Sequence, residues 1–157
     1  MTSPAQEIWH PAGTHRHSEV SAVIGQGADV FERAVRDVLL WRVKTRSAFR
    51  VASTDPAPAG ERLVITARVL GITITEPVEV VEVVETADRV GFSYRTLPGH
   101  PVDGEEAFIV SRDGDAVTLT VRSLTAPASS GIWRMLYPLL CLAQVVARRR
   151  YLRALVS

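Results

Sequence analysis

Cysteine is almost missing from this chain: Cys141 stands alone. One thiol forms no internal disulfide, and a cysteine-based zinc cluster would need other side chains to complete it. Cys141 lies in the apolar run Leu-Leu-Cys-Leu-Ala, where a packed thiol is the plain reading. Lysine is equally scarce. Lys44 is the only one among 18 basic residues, and this arginine bias carries no functional weight by itself. An excess of one charge is missing too. The formal net charge is +1, which provides no strong field to recruit nucleic acid or an anionic membrane. The longest apolar stretch, Met135 to Ala147, spans 13 residues and is interrupted by Pro138 and Gln144, whereas a bilayer crossing takes about 20. The N-terminus lacks the basic-then-apolar pattern of a secretion signal, and the location expected is cytoplasmic. No Gly-x-Gly-x-x-Gly, phosphate-binding loop, Gly-x-Ser-x-Gly elbow or His-Glu-x-x-His occurs. Their absence argues against nucleotide-dependent, serine-hydrolase and zinc-protease chemistry, and no cofactor is expected.

What is present suits one domain: 157 residues, 46% of them hydrophobic, enough for a proper core. Residues 1–17 are polar, proline-containing and aperiodic, and are expected to be a flexible lead-in. A first strand is expected over 18–25. Residues 27–41 have helical spacing, with Phe31, Ala34 or Val35, Val38 and Trp41 on one stripe. A short helix or irregular segment follows through Phe49, then a proline-rich loop over 53–61. The period then changes to two. Strands are expected over 62–71, 75–89, 90–97, 105–112 and 113–125, with a bulge or two exposed-edge registers in the second, where valines fall side by side. Residues 132–155 read as a long helix of roughly 35 Å, kinked at Pro138 or starting there. The order is strand, helix or helix pair, five strands, long helix. Short connections make the sheet antiparallel. A final helix that is apolar on most sides has to be covered, so a curved sheet wrapping it is expected, in an α+β helix-grip architecture with a cavity between the two.

The stretch Tyr-Arg-Thr-Leu-Pro-Gly-His-Pro-Val-Asp-Gly-Glu-Glu-Ala-Phe, residues 94–108, departs from ordinary strand and hairpin composition. Pro98-Gly99 and Asp103-Gly104 are turn dipeptides bracketing His100 and Pro101 in a loop of about eight residues, where a minimal hairpin takes about two. Strand alternation sends Glu105 and Glu106 to opposite faces. With Phe108 inward, Glu106 is inward as well. An inward carboxylate has to find a partner or raise its pKa, and Tyr94, Thr96, His100 and Arg122 are the candidates.

The run Val-Gly-Phe-Ser-Tyr-Arg-Thr-Leu-Pro-Gly-His-Pro-Val-Asp-Gly-Glu-Glu-Ala-Phe-Ile-Val, residues 90–110, resembles the signature of a domain-of-unknown-function family within the START-like superfamily. That superfamily is also described as SRPBCC, or polyketide-cyclase and birch-pollen-allergen-like. The matching positions are Gly91, Phe92, Tyr94, Thr96, Leu97, Pro98, Gly99, His100, Pro101, Gly104, Glu105, Glu106 and Phe108. The first strand and helix, and the C-terminal Arg-Arg-Tyr-Leu-Arg-Ala-Leu, are similar to the family as well. Together the resemblance covers nearly all of residues 20–155. Arg95 stands where the family has a glycine. Residues 122–128 replace a phenylalanine-serine-arginine-proline pattern; if that arginine pairs a glutamate of the motif, either Arg122 or Arg95 substitutes for it or the site differs. The resemblance implies a helix-grip fold, an apolar cavity beneath the long helix, and the binding or conversion of lipids, sterols or polyketides.

Two readings of the motif stand side by side. Tyr94, His100 and Glu106 either form a polar cluster at a pocket mouth, or lock a loop by hydrogen-bonding its backbone. Trp41, Phe92, Tyr94, Thr96, His100, Glu106, Phe108, Arg122, Trp133 and Tyr137 are the candidate ligand contacts. His10, His15 and His17 have a spacing a divalent metal accepts, with Glu7 or Glu19. They are assigned to a solvated tail, and no metal site is expected. Three functions remain open: a binding protein for a small apolar or amphipathic molecule; a cyclase, hydratase or hydrolase using Glu106 and His100 as acid and base; and a protein-interaction module. Composition and pattern leave the oligomeric state undetermined.

Overall fold

The computed structural model describes residues 1–156. Ser157, the end of the expected domain, lies outside them. The element order is β1 (Arg16–Gln26), α1 (Ala28–Leu39), α2 (Arg42–Thr45), β2 (Phe49–Val51), β3 (Arg62–Val69), β4 (Ile72–Glu85), β5 (Arg89–Thr96), β6 (Val102–Asp113), β7 (Ala116–Pro127), α3 (Ile132–Met135) and α4 (Tyr137–Ala154). Seven strands form one antiparallel sheet in the order β1-β7-β6-β5-β4-β3-β2. Every pair except β1–β7 is consecutive in the chain. The sheet curls, and the helices pack on its concave face. The expected α+β helix-grip architecture is present.

Alternation decides which residues form the core. Phe92 pairs with Phe108, and Phe108 with Val121. These three share the concave face with Val90, Val110 and Leu119, all buried. The bulge expected in β4 falls between Val80 and Glu82. It lets valines on both sides of the irregularity reach the core. In α1, Phe31, Ala34 and Val38 are the buried stripe. Trp41 does not continue that stripe. It follows the helix in a left-handed conformation, φ 59°, and redirects the chain into α2. A bulky residue held there is strained. Full burial against Phe92, at 4.4 Å between ring centroids, holds it in place.

Several expectations change. An extra strand, β2, begins at Phe49, is three residues long and pairs with β3. Asp103-Gly104 is not a turn. Both residues lie in β6, opposite Ala126 and Thr125 of β7. Gly104 is required there by a close approach, since a Cβ would come within 1.8 Å of the Leu124 carbonyl oxygen. The final helix is two pieces, with Pro138 in the first turn of α4, where its missing N–H costs nothing. That helix is also less covered than its composition suggests. Tyr151 and Leu155 are buried, but Met135 is 81% exposed and Leu139 and Leu142 are each 64% exposed. The sheet grips the last turns of α4 and leaves the outer side of its first half open.

The N-terminal segment, expected to be flexible, runs along the convex face of the sheet. Thr2 is fully buried, and its backbone N–H donates to Glu105 Oε1 at 2.7 Å. Arg89 donates to the carbonyls of Pro4 and Gln6. His15 meets Asp103 at 3.1 Å, and His17 stands edge-on to Trp9. Among the described residues, no helix is long and apolar enough to cross a membrane.

Candidate functional site

A hollow lies between the concave face of β4–β7 and α4, along Leu140 to Tyr151, with a cavity volume of about 130 Å³. Its apolar wall includes Phe49, Leu140, Ala143 and Ala147; its polar wall includes Lys44, Glu76, Tyr94, His100, Glu106 and Tyr151. The polar groups arrive from six different segments: α2, β4, β5, the β5–β6 loop, β6 and α4.

Lys44 is the centre. Its ammonium lies 2.9 Å from Glu106 Oε2 and donates to Tyr151 Oη at 2.7 Å. Phe49, Tyr151, Tyr94 and Phe108 surround it, with ring centroids 4.5 to 5.7 Å from Nζ. Tyr94 Oη donates a short hydrogen bond to the same Glu106 Oε2. Burial by itself would neutralise the lysine. Glu106, with Tyr151, Tyr94 and Glu76 behind it, outweighs that and holds its pKa well above the ordinary value. Burial, reinforced by Glu106, pushes the Tyr94 hydroxyl up and keeps it a donor. Burial and Glu106 do the same to Tyr151.

His100 serves the loop and the cavity together. Its Nδ1 accepts the backbone N–H of Val102 at 3.1 Å, which places the ring proton on Nε2. Nε2 faces Glu76 Oε2 across 3.9 Å. Burial first, and Lys44 second, lower its pKa to about 4, so the ring is neutral at neutral pH. Thr96 completes the lock: its Oγ1 accepts the N–H of Gly104 at 2.9 Å. The loop's hydrogen bonds and the polar wall of the hollow share His100.

Glu76 has no close hydrogen-bond partner among the described residues. Its side chain is 16% exposed, and it lines the hollow. Burial raises its pKa; Lys44 opposes this and Glu106 adds to it.

Of the ten candidate ligand contacts, Tyr94, Thr96, His100 and Glu106 line this hollow. Phe108 lies beneath it, fully buried and edge-on to Tyr151 at 5.1 Å. Trp41 and Phe92 border a second hollow of about 400 Å³ under the 53–61 loop. Trp133 is half-buried on α3, and the Tyr137 hydroxyl donates to the Thr125 carbonyl at 3.3 Å; neither lines the first hollow. Arg122 is on the other side of the sheet. Its inward neighbours Val121 and Ser123 force it outward. There it donates to Glu19 and to the carbonyls of Thr2, Ser3 and Glu7, with its guanidinium 5.6 Å from the Trp9 ring. Arg95 is also outward, paired with Glu79 at 3.0 Å. Neither arginine partners Glu106; Lys44 does. The sequence reading missed Lys44 and Glu76. Their signals were present: one is the sole lysine of the chain, and the other lies two residues before Val78, on the same strand face.

A curled antiparallel sheet, a C-terminal helix across it and a hollow between them make a helix-grip fold. The likeness to solved structures is of that kind. The hypothetical protein jhp0584 from Helicobacter pylori has a TM-score of 0.62 at 13% identity, covering 95% of this chain and 98% of its own. The ZhuI aromatase/cyclase from a Streptomyces species has 0.59 at 16%, covering 91% and 92%. Ginseng major latex-like protein 151 from Panax ginseng has 0.53 at 14%, covering 88% and 99%. At these identities the likeness is one of fold. The chain itself belongs to the family described as a domain of unknown function, DUF1990, whose model matches residues 2–154. A UPF0548 protein from Deinococcus radiodurans is 31% identical over 160 residues, covering 94% of this chain and 78% of that protein. The family match takes in the N-terminal segment that Arg122 and Glu105 hold.

Proposed function

We propose that this protein binds a small amphipathic molecule in the hollow beneath α4. The observation that carries the reading is a cavity with two chemically distinct walls, apolar at Phe49, Leu140, Ala143 and Ala147 and charged at Lys44, Glu76 and Glu106. Burial of the ligand's apolar body would supply affinity at about 25 cal/mol per Å², before the costs of association. The polar wall would set its orientation. The fold it shares with an aromatase/cyclase and a major latex-like protein supports the choice of ligand class.

Native mass spectrometry of freshly purified protein, followed by organic extraction, tests this. The expected result is a stoichiometric adduct that disappears on denaturation and is lost in Ala143→Phe. Folded protein that carries no adduct, and whose cavity-lining amides do not shift with any of a panel of small amphipathic compounds, would reject it.

A catalytic reading has one observation in its favour: Glu106 and His100 line the same hollow. Glu106 is clamped by Lys44 and Tyr94, so the less constrained carboxylate, Glu76, would be the better proton carrier beside the neutral imidazole. Turnover that vanishes in both Glu76→Gln and His100→Asn, with folding intact, would support it.

A further inference from the structure

The polar wall of the hollow does not balance its charge. Lys44 is the only cationic side chain on it among the described residues, facing two carboxylates, Glu76 and Glu106. His100 adds no positive charge at neutral pH, because its Nδ1 is occupied as an acceptor and burial disfavours the imidazolium. The lysine's charge is already used. Its side chain is 4% exposed, and its ammonium pairs with Glu106, donates to Tyr151 and is enclosed by aromatic rings. An incoming anion would reach little of that ammonium and would meet Glu76.

Hydrogen-bond capacity is unbalanced in the same direction. Glu106 Oε2 takes both Lys44 and Tyr94, while among the described residues no close donor reaches Glu106 Oε1 or either oxygen of Glu76. His100 Nε2 stands 3.9 Å from Glu76 Oε2, beyond hydrogen-bonding distance. These acceptors are on the hollow and not sealed in the core, since the Glu76 and Glu106 side chains keep 16% and 18% of their exposure. A carboxylate held in a mostly apolar hollow without a donor is costly, and a ligand that brings one recovers that cost.

We infer that the hollow selects ligands carrying an amine, with the ligand ammonium set between Glu76 and Glu106 and its apolar body against Leu140, Ala143 and Ala147. This rests on the binding reading above and narrows it: the same site, with a cationic head group in place of a carboxylate or an uncharged one. Glu76 is the selecting residue. Glu106 is already committed to Lys44 and contributes its remaining oxygen. Charge-assisted hydrogen bonds to a desolvated carboxylate are about twice as strong as neutral ones, which gives the preference its size.

Three probes of one shape separate the possibilities: 2-phenylethylamine, 2-phenylethanol and phenylacetate, titrated into the full chain at pH 7 by calorimetry and by amide shifts of the cavity-lining residues. The amine is expected to bind about tenfold or more tightly than the alcohol, and phenylacetate most weakly. In Glu76→Gln the amine-to-alcohol ratio is expected to fall close to one, with a thermal melt checking that the variant folds. If it does not fold, the order of the three probes on the unaltered protein decides. Phenylacetate or the alcohol binding as tightly as the amine would overturn the amine preference and leave the binding cavity standing. No binding by any of the three at millimolar concentration would overturn both.

Discussion

Lys44 Nζ lies 2.9 Å from Glu106 Oε2 and 2.7 Å from Tyr151 Oη, joining α2, β6 and α4 at one ammonium. Removing one charge of a buried pair strands the other, at a typical cost of about 3–5 kcal/mol, whereas removing both is far milder. Lys44→Met is therefore expected to destabilise strongly, and Lys44→Met with Glu106→Gln to recover most of the loss. Urea unfolding of the two single variants and the double gives the coupling directly. Additive losses would show that the pair is not held as described.

His100 makes a pH prediction with a definite sign. Its folded pKa is lowered to about 4 from 6.5, so between those values the unfolded chain binds the proton and the folded one does not. Stability from this residue is complete above pH 6.5, falls as pH drops toward 4, and levels off below. The full loss is about 3 kcal/mol at about 1.4 kcal/mol per pH unit. Glu76, whose pKa is raised, works against it, favouring the folded state as pH falls through the range above 4.5. His100→Asn keeps an acceptor for the Val102 N–H and removes the titration. Its unfolding free energy is expected to vary less steeply over pH 4–6.5 than that of the unaltered protein, and an equal slope would reject the assignment.

Gly104 tests why the motif needs a glycine. A methyl group there would meet the Leu124 carbonyl at 1.8 Å. Gly104→Ala has to part β6 from β7 and is expected to lose about 1–3 kcal/mol or more. Gly114→Ala, at the β6–β7 turn with open space around the Cβ and φ of 56°, carries only a conformational cost of about 1 kcal/mol. Thermal melts of both rank them, and an equal effect would contradict the close approach.

Arg122 tests the convex face. Arg122→Met removes the donors to Glu19 and to the carbonyls of Thr2, Ser3 and Glu7. Amide hydrogen exchange in residues 2–9 is expected to accelerate, while cavity amides near Tyr94 and His100 keep their rates. Faster exchange at the cavity, with the N-terminal segment unchanged, would mean that the residue acts on the other side of the sheet.

Local pattern was enough for much of this molecule, because strand alternation and helical spacing are properties of neighbours. It placed Phe92, Tyr94, Glu106 and Phe108 facing inward, put α1 and the final helix close to where they are, and raised a bulge in the valine-rich strand, which the structure sets between Val80 and Glu82. The motif over residues 90–110 pointed to the fold. Local pattern misjudged Asp103-Gly104, whose turn-like composition serves a tight strand approach, and it could not show that Thr2 meets Arg122 and Glu105 across more than 100 positions.

The sequence by itself determined that a carboxylate at 106 faces inward and therefore needs a partner. Only the tertiary structure decided which partner. Arg122 is near it in the paired strands but has the wrong parity and faces out. Lys44 is distant in the chain, yet the left-handed turn at Trp41 sends it into the core beneath Tyr151, a residue 107 positions away. Side-chain parity is readable residue by residue. The meeting of α2, β6 and α4 at one ammonium depends on how the sheet curls and where the last helix crosses it.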